Sequence, residues 1–293
     1  LMRGTEVIEW PADQTQLTQR YTSEAKRFIR KNGDRPFFIY LPHTMPHIPL
    51  FVSDRFRGQS DAGLYGDTLE EIDWSVGEIV KTLKEQNIED NTLIVYTSDN
   101  GPWNLKGNDT DKMKGNMNRR IGGSAFPLRG HKFSKWEGGL RVPCVVHWPS
   151  KIAAGAETDE IIASIDLLPT FATLSGAKLP AQKIDGVSAA DLLLGKSDTS
   201  SRQTYFYRNA AVRKGDWKFV ENKLFNLKSD IGESKNLADK HPAKLAELKQ
   251  LLAVHQAEIK SDGRSPAYHE RAPYPFPQNN DWTVHRGRWN LAK

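Results

Sequence analysis

Thr92-Leu-Ile-Val-Tyr-Thr-Ser-Asp99-Asn100-Gly101 decides the fold. A β-favouring apolar run stops abruptly at an acid, an amide and a glycine. In a sheet protein with alternating helices, ligands are held at the carboxyl ends of strands. A carboxylate next to an amide carbonyl is a hard oxygen pair, suited to Ca²⁺ and, less well, to Mg²⁺. Taken alone, Asp-Asn-Gly reads first as a turn signal. The neighbouring segments bear on the choice.

Upstream, Pro36-Phe-Phe-Ile-Tyr-Leu41 is a short, wholly apolar run that reads as a strand buried on both faces. A proline-broken loop follows, from Pro42 through His43, Pro46, His47 and Pro49. Residues 64–86 carry Tyr65, Leu69, Ile72, Val76, Ile79, Val80 and Leu83 at helical spacing. Asp73 is expected to face that stripe, and Asn87 ends the helix. Strand, helix and strand over 36–97 predict two parallel strands joined by a right-handed crossover. That crossover would bring the loops after Leu41 and Thr97 to one sheet edge, so that His47 and Asp99/Asn100 converge. A further amphipathic helix is expected over 14–32, stopped by Gly33.

Downstream, residues 98–140 are polar and glycine-rich. They contain Lys106, Lys112, Lys114, Arg119 and Arg120, then Arg129-Gly-His131-Lys132 through Glu137-Gly-Gly139. A loop of that length inside a compact domain is functional or disordered. Arg141 to Trp148 restores an apolar strand, which places Cys144 in the core. Another short strand is possible over Thr158 to Ile165. Asp166 to Gly176 has a helix start and stop. After Pro180 come a short helix ending near Gly195, strands at Gln203–Arg208, Asp216–Glu221 and Lys223–Leu227, and an amphipathic helix over 238–258. The proline- and aromatic-rich end, Pro266 to Lys293, shows no periodicity and is expected to wrap the surface or remain disordered.

The 293 residues suffice for one large domain, or a large one plus a small one. A hydrophobic content of 38% with 26% charged residues is that of a globular protein. No apolar run approaches bilayer length, and Leu1 to Trp10 lack the features of a signal peptide. One cysteine excludes an internal disulfide. The net charge of +5 leans weakly towards anionic partners; neither nucleic acid nor membrane is expected among them.

The motifs together resemble the C-terminal portion of a type I sulfatase, the formylglycine-dependent, arylsulfatase-like branch of the alkaline phosphatase superfamily. Four pieces carry the resemblance, in order: Pro36–Leu41 with Pro46-His47-Ile-Pro49; Thr97-Ser-Asp99-Asn100-Gly101-Pro-Trp; Pro127-Leu-Arg-Gly-His-Lys132 through Glu137-Gly-Gly-Leu-Arg-Val-Pro143; and Lys223–Asp230 through Glu233-Ser-Lys-Asn236-Leu. The resemblance implies an α/β fold with a mixed, largely parallel sheet flanked by helices. Residues 1–196 would be part of the catalytic domain, and 197–293 a small subdomain with an antiparallel sheet and a helix. By the same resemblance Asp99 and Asn100 would be two Ca²⁺ ligands, His47 would contact the sulfate or its leaving-group oxygen, and Lys132 would hold a sulfate oxygen. Arg129 and His131 would line the pocket or brace the loop.

The chain also departs from the pattern. Neither Cys-x-Pro-x-Arg nor Ser-x-Pro-x-Arg occurs, and no Asp-Asp pair. The nucleophile and the other metal ligands are therefore expected on an N-terminal half outside this sequence, which makes that half a partner and this chain alone inactive. A second departure is the insert Asn108 to Ile121. Arg119 and Arg120 within it are expected to border the substrate and favour a polyanion such as a sulfated polysaccharide.

The resulting expectation is hydrolysis of a sulfate ester, on a sulfated small molecule or carbohydrate, in a bacterial periplasm or outside the cell. A metal-dependent phospho- or phosphonohydrolase of the same superfamily is the alternative enzyme. A non-catalytic module binding anionic glycans is the alternative of another class.

Overall fold

The computed structural model describes residues 1–103 and 122–263, together with the backbone of Trp282–His285 and Arg288–Leu291. Arg119, Arg120 and the basic insert around them lie outside the described residues. Two compact units are present, Leu1–Glu89 and, among the described residues, 90–103 with 123–263.

The first unit opens with a small hairpin, β1 (Met2–Arg3) and β2 (Glu6–Val7), followed by two helices, α1 (Leu17–Asn32) and α2 (Gly63–Glu85). The helices pack on each other. Ile29 of α1 and Ile72 and Leu83 of α2 are buried, and the Thr22 and Ser75 hydroxyls meet at 2.6 Å. The ion pairs Lys26–Glu78 and Arg30–Glu85 link the helices further out.

The buried face of α2 is more polar than its apolar stripe suggests. Asp67, Thr68, Glu71, Ser75 and Thr82 are buried, whereas Leu69 and Asp73 are exposed. The cause is the preceding loop. The Asp67 carboxylate accepts backbone N–H bonds from Gly58 (2.9 Å), Gln59 (3.1 Å) and Ser60 (2.9 Å), and Glu71 accepts one from Ser53. Asp67, satisfied on both oxygens, and Glu71 through Oε2 hold backbone that otherwise would lose its hydrogen bonds.

The strand expected at Pro36–Leu41 does not form. The segment has the alternation of a strand, with Phe38 (70% exposed) and Tyr40 (79%) on one side. No described strand lies alongside it, and a strand exists only as one member of a ladder. The parallel crossover over 36–97 is therefore absent, and every strand pairing among the described residues is antiparallel.

In the second unit β3 (Ile94–Thr97) pairs with β4 (Cys144–His147), joining Thr97 to Cys144 and Ile94 to His147. Between them, among the described residues, lies one helical turn, α3 (Glu137–Leu140). Cys144, expected in the core, is exposed, because this ribbon has only two described strands. Thr158 to Ile165 forms no strand and runs instead into α4 (Leu167–Ser175). Gly176, in the left-handed region at φ 71°, ends that helix as expected. At its start the buried Asp166 carboxylate receives both arms of Arg202, at 2.6 and 2.7 Å.

After the short α5 (Ala190–Leu193), four strands follow in sequence order: β5 (Thr204–Tyr207), β6 (Ala211–Lys214), β7 (Trp217–Val220) and β8 (Lys223–Asn226). The turns Arg208-Asn209 and Glu221-Asn222 each hold two residues at positive φ. That pairing matches the twist of tight hairpins. Strand β6 was not expected, because Ala-Val-Arg-Lys has a weak apolar pattern.

Helix α6 (Pro242–Asp262) covers one face of this sheet: Val212, Phe219, Leu224, Leu248 and Leu252 form one buried cluster. The opposite face, with Tyr207, Ala211, Val220 and Phe225, packs under Trp136 and Leu140. The sheet is thus the floor on which the 129–140 loop rests. In the tail, the backbone of β9 (Trp282–His285) pairs antiparallel with β10 (Arg288–Leu291).

Candidate functional site

The turn after β3 and the loop 129–139 meet through glycine. The Gly101 N–H donates to the Gly139 carbonyl (3.0 Å), the Lys132 N–H to the Pro102 carbonyl (2.9 Å), and the Gly138 N–H to the Arg129 carbonyl (2.7 Å). A Cβ on Gly101 would lie 1.8 Å from the Gly138 carbonyl oxygen, and one on Gly139 would lie 2.5 Å from the Ser134 carbonyl oxygen. The glycines of Asp-Asn-Gly and Glu-Gly-Gly therefore permit the two backbones to touch. Their sequence signal as mere turn markers understates that role.

This contact brings Asp99, Asn100, Lys132, Arg129 and His131 into one unit. Asp99 is exposed and Asn100 half-buried. The Asn100 Nδ2 donates to the Gly101 carbonyl at 3.0 Å, which turns the nitrogen towards the backbone and the amide oxygen away from it. Lys132 is half-buried, with Nζ 5.3 Å from the ring centres of both Trp103 and Phe133. His131 Nδ1 donates to the Lys132 carbonyl (2.8 Å). Arg129 stacks on Trp136 at 3.7 Å and donates to the Glu233 carbonyl (2.8 Å), so its guanidinium braces the loop.

Beneath the loop lies a charge network that the sequence did not suggest. Lys218, fully buried, reaches up from β7 to Glu137 Oε1 and Glu233 Oε1, both at 2.8 Å, and its Nζ sits 3.9 Å from the Tyr207 ring centre. Glu233 accepts the Glu137 N–H at 2.8 Å. Burial works to raise the Glu137 carboxyl, but Lys218, with Tyr207 and Arg213, outweighs it and holds the group below the usual carboxylate value. At Glu233 burial wins over Lys218, and the carboxyl is raised. Burial and the Glu137 charge also push the Tyr207 phenol well up. The lysine loop is thus pinned from below by buried charges.

His47 belongs to the first unit. It is exposed and lines a cavity of about 310 Å³ with Gln14, Thr44, Met45, Ile48, Pro49 and Phe51. Its Nδ1 lies 2.7 Å from the Ile48 carbonyl. A carbonyl only accepts, so Nδ1 carries a proton in this contact. His43 is more enclosed: its Nε2 lies 3.5 Å from the Ser75 hydroxyl, and burial lowers the imidazole below its ordinary value.

The donor set at this turn fits a hard cation in kind, offering a carboxylate and an amide oxygen. It falls short in number. Among the described residues no three His, Cys, Asp or Glu side chains gather to hold a metal.

A sheet-and-helix scaffold with an acidic turn seated against a lysine loop defines a class. The family model for Sulfatase matches residues 4–177, and the chain belongs to that family. It is an arylsulfatase-like sulfatase chain of the alkaline phosphatase superfamily, and its fold is the α/β fold of that group. It is 41% identical over 219 residues to human steryl-sulfatase, covering 74% of this chain and 36% of that protein. With the N-acetylgalactosamine-6-O-sulfatase of Bacteroides thetaiotaomicron it shares 32% identity over 259 residues, 79% of this chain and 49% of that one. The crystal structure of the PsFucS1 sulfatase from Pseudoalteromonas sp. matches at a TM-score of 0.78 and 26% identity, over 90% of this chain and 57% of that one. The chain thus spans between 36% and 49% of the curated relatives named here. Among the described residues no helix is long and apolar enough to cross a membrane.

Proposed function

We propose that this chain is the part of a sulfatase that binds and activates the sulfate group. The observation that carries the reading is the contact between the Asp99-Asn100-Gly101 turn and the Lys132 loop. A sulfate ester resists attack until the negative charge on its oxygens is offset. Lys132 supplies a compact positive charge where that charge develops. Asp99 and Asn100 would contribute two oxygens to a Ca²⁺ ion, with the remaining ligands outside this sequence; a bound cation of that kind supplies Lewis acidity. His47 would contact the sulfate or protonate the departing alkoxide. Arg129 braces the loop as well as facing solvent, and His131 flanks Lys132. Arg119 and Arg120 would extend the positive surface towards a longer anionic substrate.

The nucleophile would be a formylglycine on a segment outside this sequence, since neither family nucleophile motif occurs here. The substrate would be a sulfated carbohydrate or a small sulfate ester, met in the periplasm or outside the cell; the relatives include both an N-acetylgalactosamine-6-O-sulfatase and a steryl-sulfatase.

The test is turnover of matched sulfate and phosphate esters by the complete enzyme, with and without Ca²⁺. Faster hydrolysis of the sulfate, lost on chelation, supports the reading; preference for the phosphate assigns the chain to a phosphohydrolase. This chain by itself, assayed for sulfate release in excess Ca²⁺, is expected to be inactive, and clear turnover would refute the division of labour proposed here.

A further inference from the structure

Beside Lys132 stands a corner of side chains that the activation of sulfate does not use. Phe133 is 61% exposed, and its φ is 74°. That left-handed conformation suits glycine and disfavours a bulky side chain. The turn that imposes it is closed by the Ser134 N–H donating to the His131 carbonyl (2.9 Å) and the His131 N–H donating to the Ser134 hydroxyl (3.2 Å). The chain therefore places a phenyl ring where the backbone would be easier with none, and leaves it in water. Neither feature helps the fold.

The surroundings of the ring are specific. Trp103 meets it edge-on, at 5.7 Å between centres and 90° between planes. Lys132 Nζ lies 5.3 Å from both ring centres. From the β5–β6 turn, Arg208 brings its guanidinium carbon to 5.8 Å from the Phe133 ring and donates to the Phe133 carbonyl at 3.1 Å. Three segments distant in sequence thus place two aromatic rings and two cations on one solvent-facing corner. An aromatic face offers apolar C–H groups a surface, and cations near it favour anions. A ligand with an apolar ring face and anionic substituents matches both.

We propose that Phe133, Trp103 and Arg208 form the subsite for the sugar ring of a sulfated saccharide. The ring that bears the scissile sulfate, or its neighbour, stacks on Phe133, and Arg208 faces a second anionic substituent. The proposal deepens the sulfatase reading and rests on it for the role of Lys132. A sterol sulfate offers an apolar face but no second anion for Arg208 to meet.

The test combines direct binding with turnover in the complete enzyme. The variants are Phe133→Gly, which removes the phenyl without backbone strain, Phe133→Trp, which restores an aromatic face, and Arg208→Gln. The probes are a monosulfated disaccharide, its disulfated counterpart, a sterol sulfate and inorganic sulfate. Phe133→Gly is expected to keep or raise the melting temperature, to raise KM and the calorimetric Kd for both disaccharides about tenfold or more, which is about 1.4 kcal/mol, and to leave inhibition by inorganic sulfate unchanged. Phe133→Trp is expected to recover most of the affinity. Arg208→Gln is expected to weaken the disulfated probe more than the monosulfated one.

Unchanged Kd for both disaccharides in Phe133→Gly overturns the proposal. So does an equal weakening of inorganic sulfate, which would mean that the ring acts through the lysine loop. A lowered melting temperature with unchanged Kd would show the ring to be covered by another part of the enzyme. An effect confined to the sterol sulfate would assign the corner to a different ligand class. Saccharide binding that depends on Phe133 in a protein hydrolysing no sulfate ester would sink the sulfatase reading and leave the subsite standing.

Discussion

Replacing Lys218 by Met tests how the lysine loop is held. The side chain is fully buried, with its ammonium 2.8 Å from one oxygen of each of Glu137 and Glu233. Methionine nearly preserves the volume, so the loss is electrostatic. It strands two carboxylates in the interior, with Arg213 at 3.8 Å from Glu137 as the remaining cation. Breaking a buried ion pair from one side costs about 3–5 kcal/mol. For a body of this size that corresponds to a fall in Tm of roughly 6–20 °C.

The pH dependence has a definite sign. In the wild type Glu137 is held below its unfolded value, so its stabilisation is present above that value and lost as pH falls through the folded one. In Lys218→Met both carboxyls are raised, so the folded state gains stability as they take up protons at lower pH. The gap between the two proteins should therefore be widest near pH 7 and narrow towards pH 4.5. Urea unfolding followed by tryptophan fluorescence and circular dichroism at several pH values reads both effects. A loss below about 1 kcal/mol at pH 7, or a gap that does not change with pH, would refute the account of the network. Adding Glu137→Gln and Glu233→Gln to Lys218→Met should recover part of the loss, since no carboxylate is then stranded, while Arg213 loses its partner Glu137.

Two further substitutions separate glycines that look alike in sequence. In Gly101→Ala the new methyl would meet the Gly138 carbonyl at 1.8 Å, so unfolding should show a loss of about 2 kcal/mol or more. Gly77→Ala, on the exposed side of α2 with nothing within 4 Å, should gain about 0.5–1 kcal/mol. Equal effects would dismiss the close contact between turn and loop. For His43, burial favours the neutral ring, so the unfolded chain binds the proton first as pH falls below about 6.5. Stability of the first unit should decline from pH 7 to 5.5, and His43→Gln should flatten that slope in a pH series of thermal melts.

The helices were legible because their signals are local. The period of Leu17, Ala25 and Ile29 in α1 and the Gly176 stop of α4 depend on nothing distant, whereas Asp166 at the start of α4 is held by Arg202. The Asp-Asn-Gly turn and the Lys132 loop were legible as motifs, yet their contact through Gly101, Gly138 and Gly139 required coordinates. Pro36–Leu41 misled because an apolar run reports suitability for a ladder, not the presence of a neighbour. Asp67 and Glu71 turned inward because loop amides needed acceptors, which no periodicity records. Lys218, in Trp-Lys-Phe-Val, reads as the solvent-facing member of an alternating strand. Its partners Glu137 and Glu233 are 81 and 15 residues away, and nothing in any of the three segments announces the other two. Phe133 could have drawn notice only as an aromatic residue inside a glycine-rich loop.

The central claim is that the Lys132 ammonium offsets charge on a sulfate undergoing hydrolysis. The most direct test is kcat/KM of the complete enzyme on a sulfate ester before and after Lys132→Ala, with Ca²⁺ saturating. The account predicts a fall of about 10²–10³, as for loss of one preorganised donor to a developing oxyanion, with the larger part in kcat. A change of less than about threefold would contradict it.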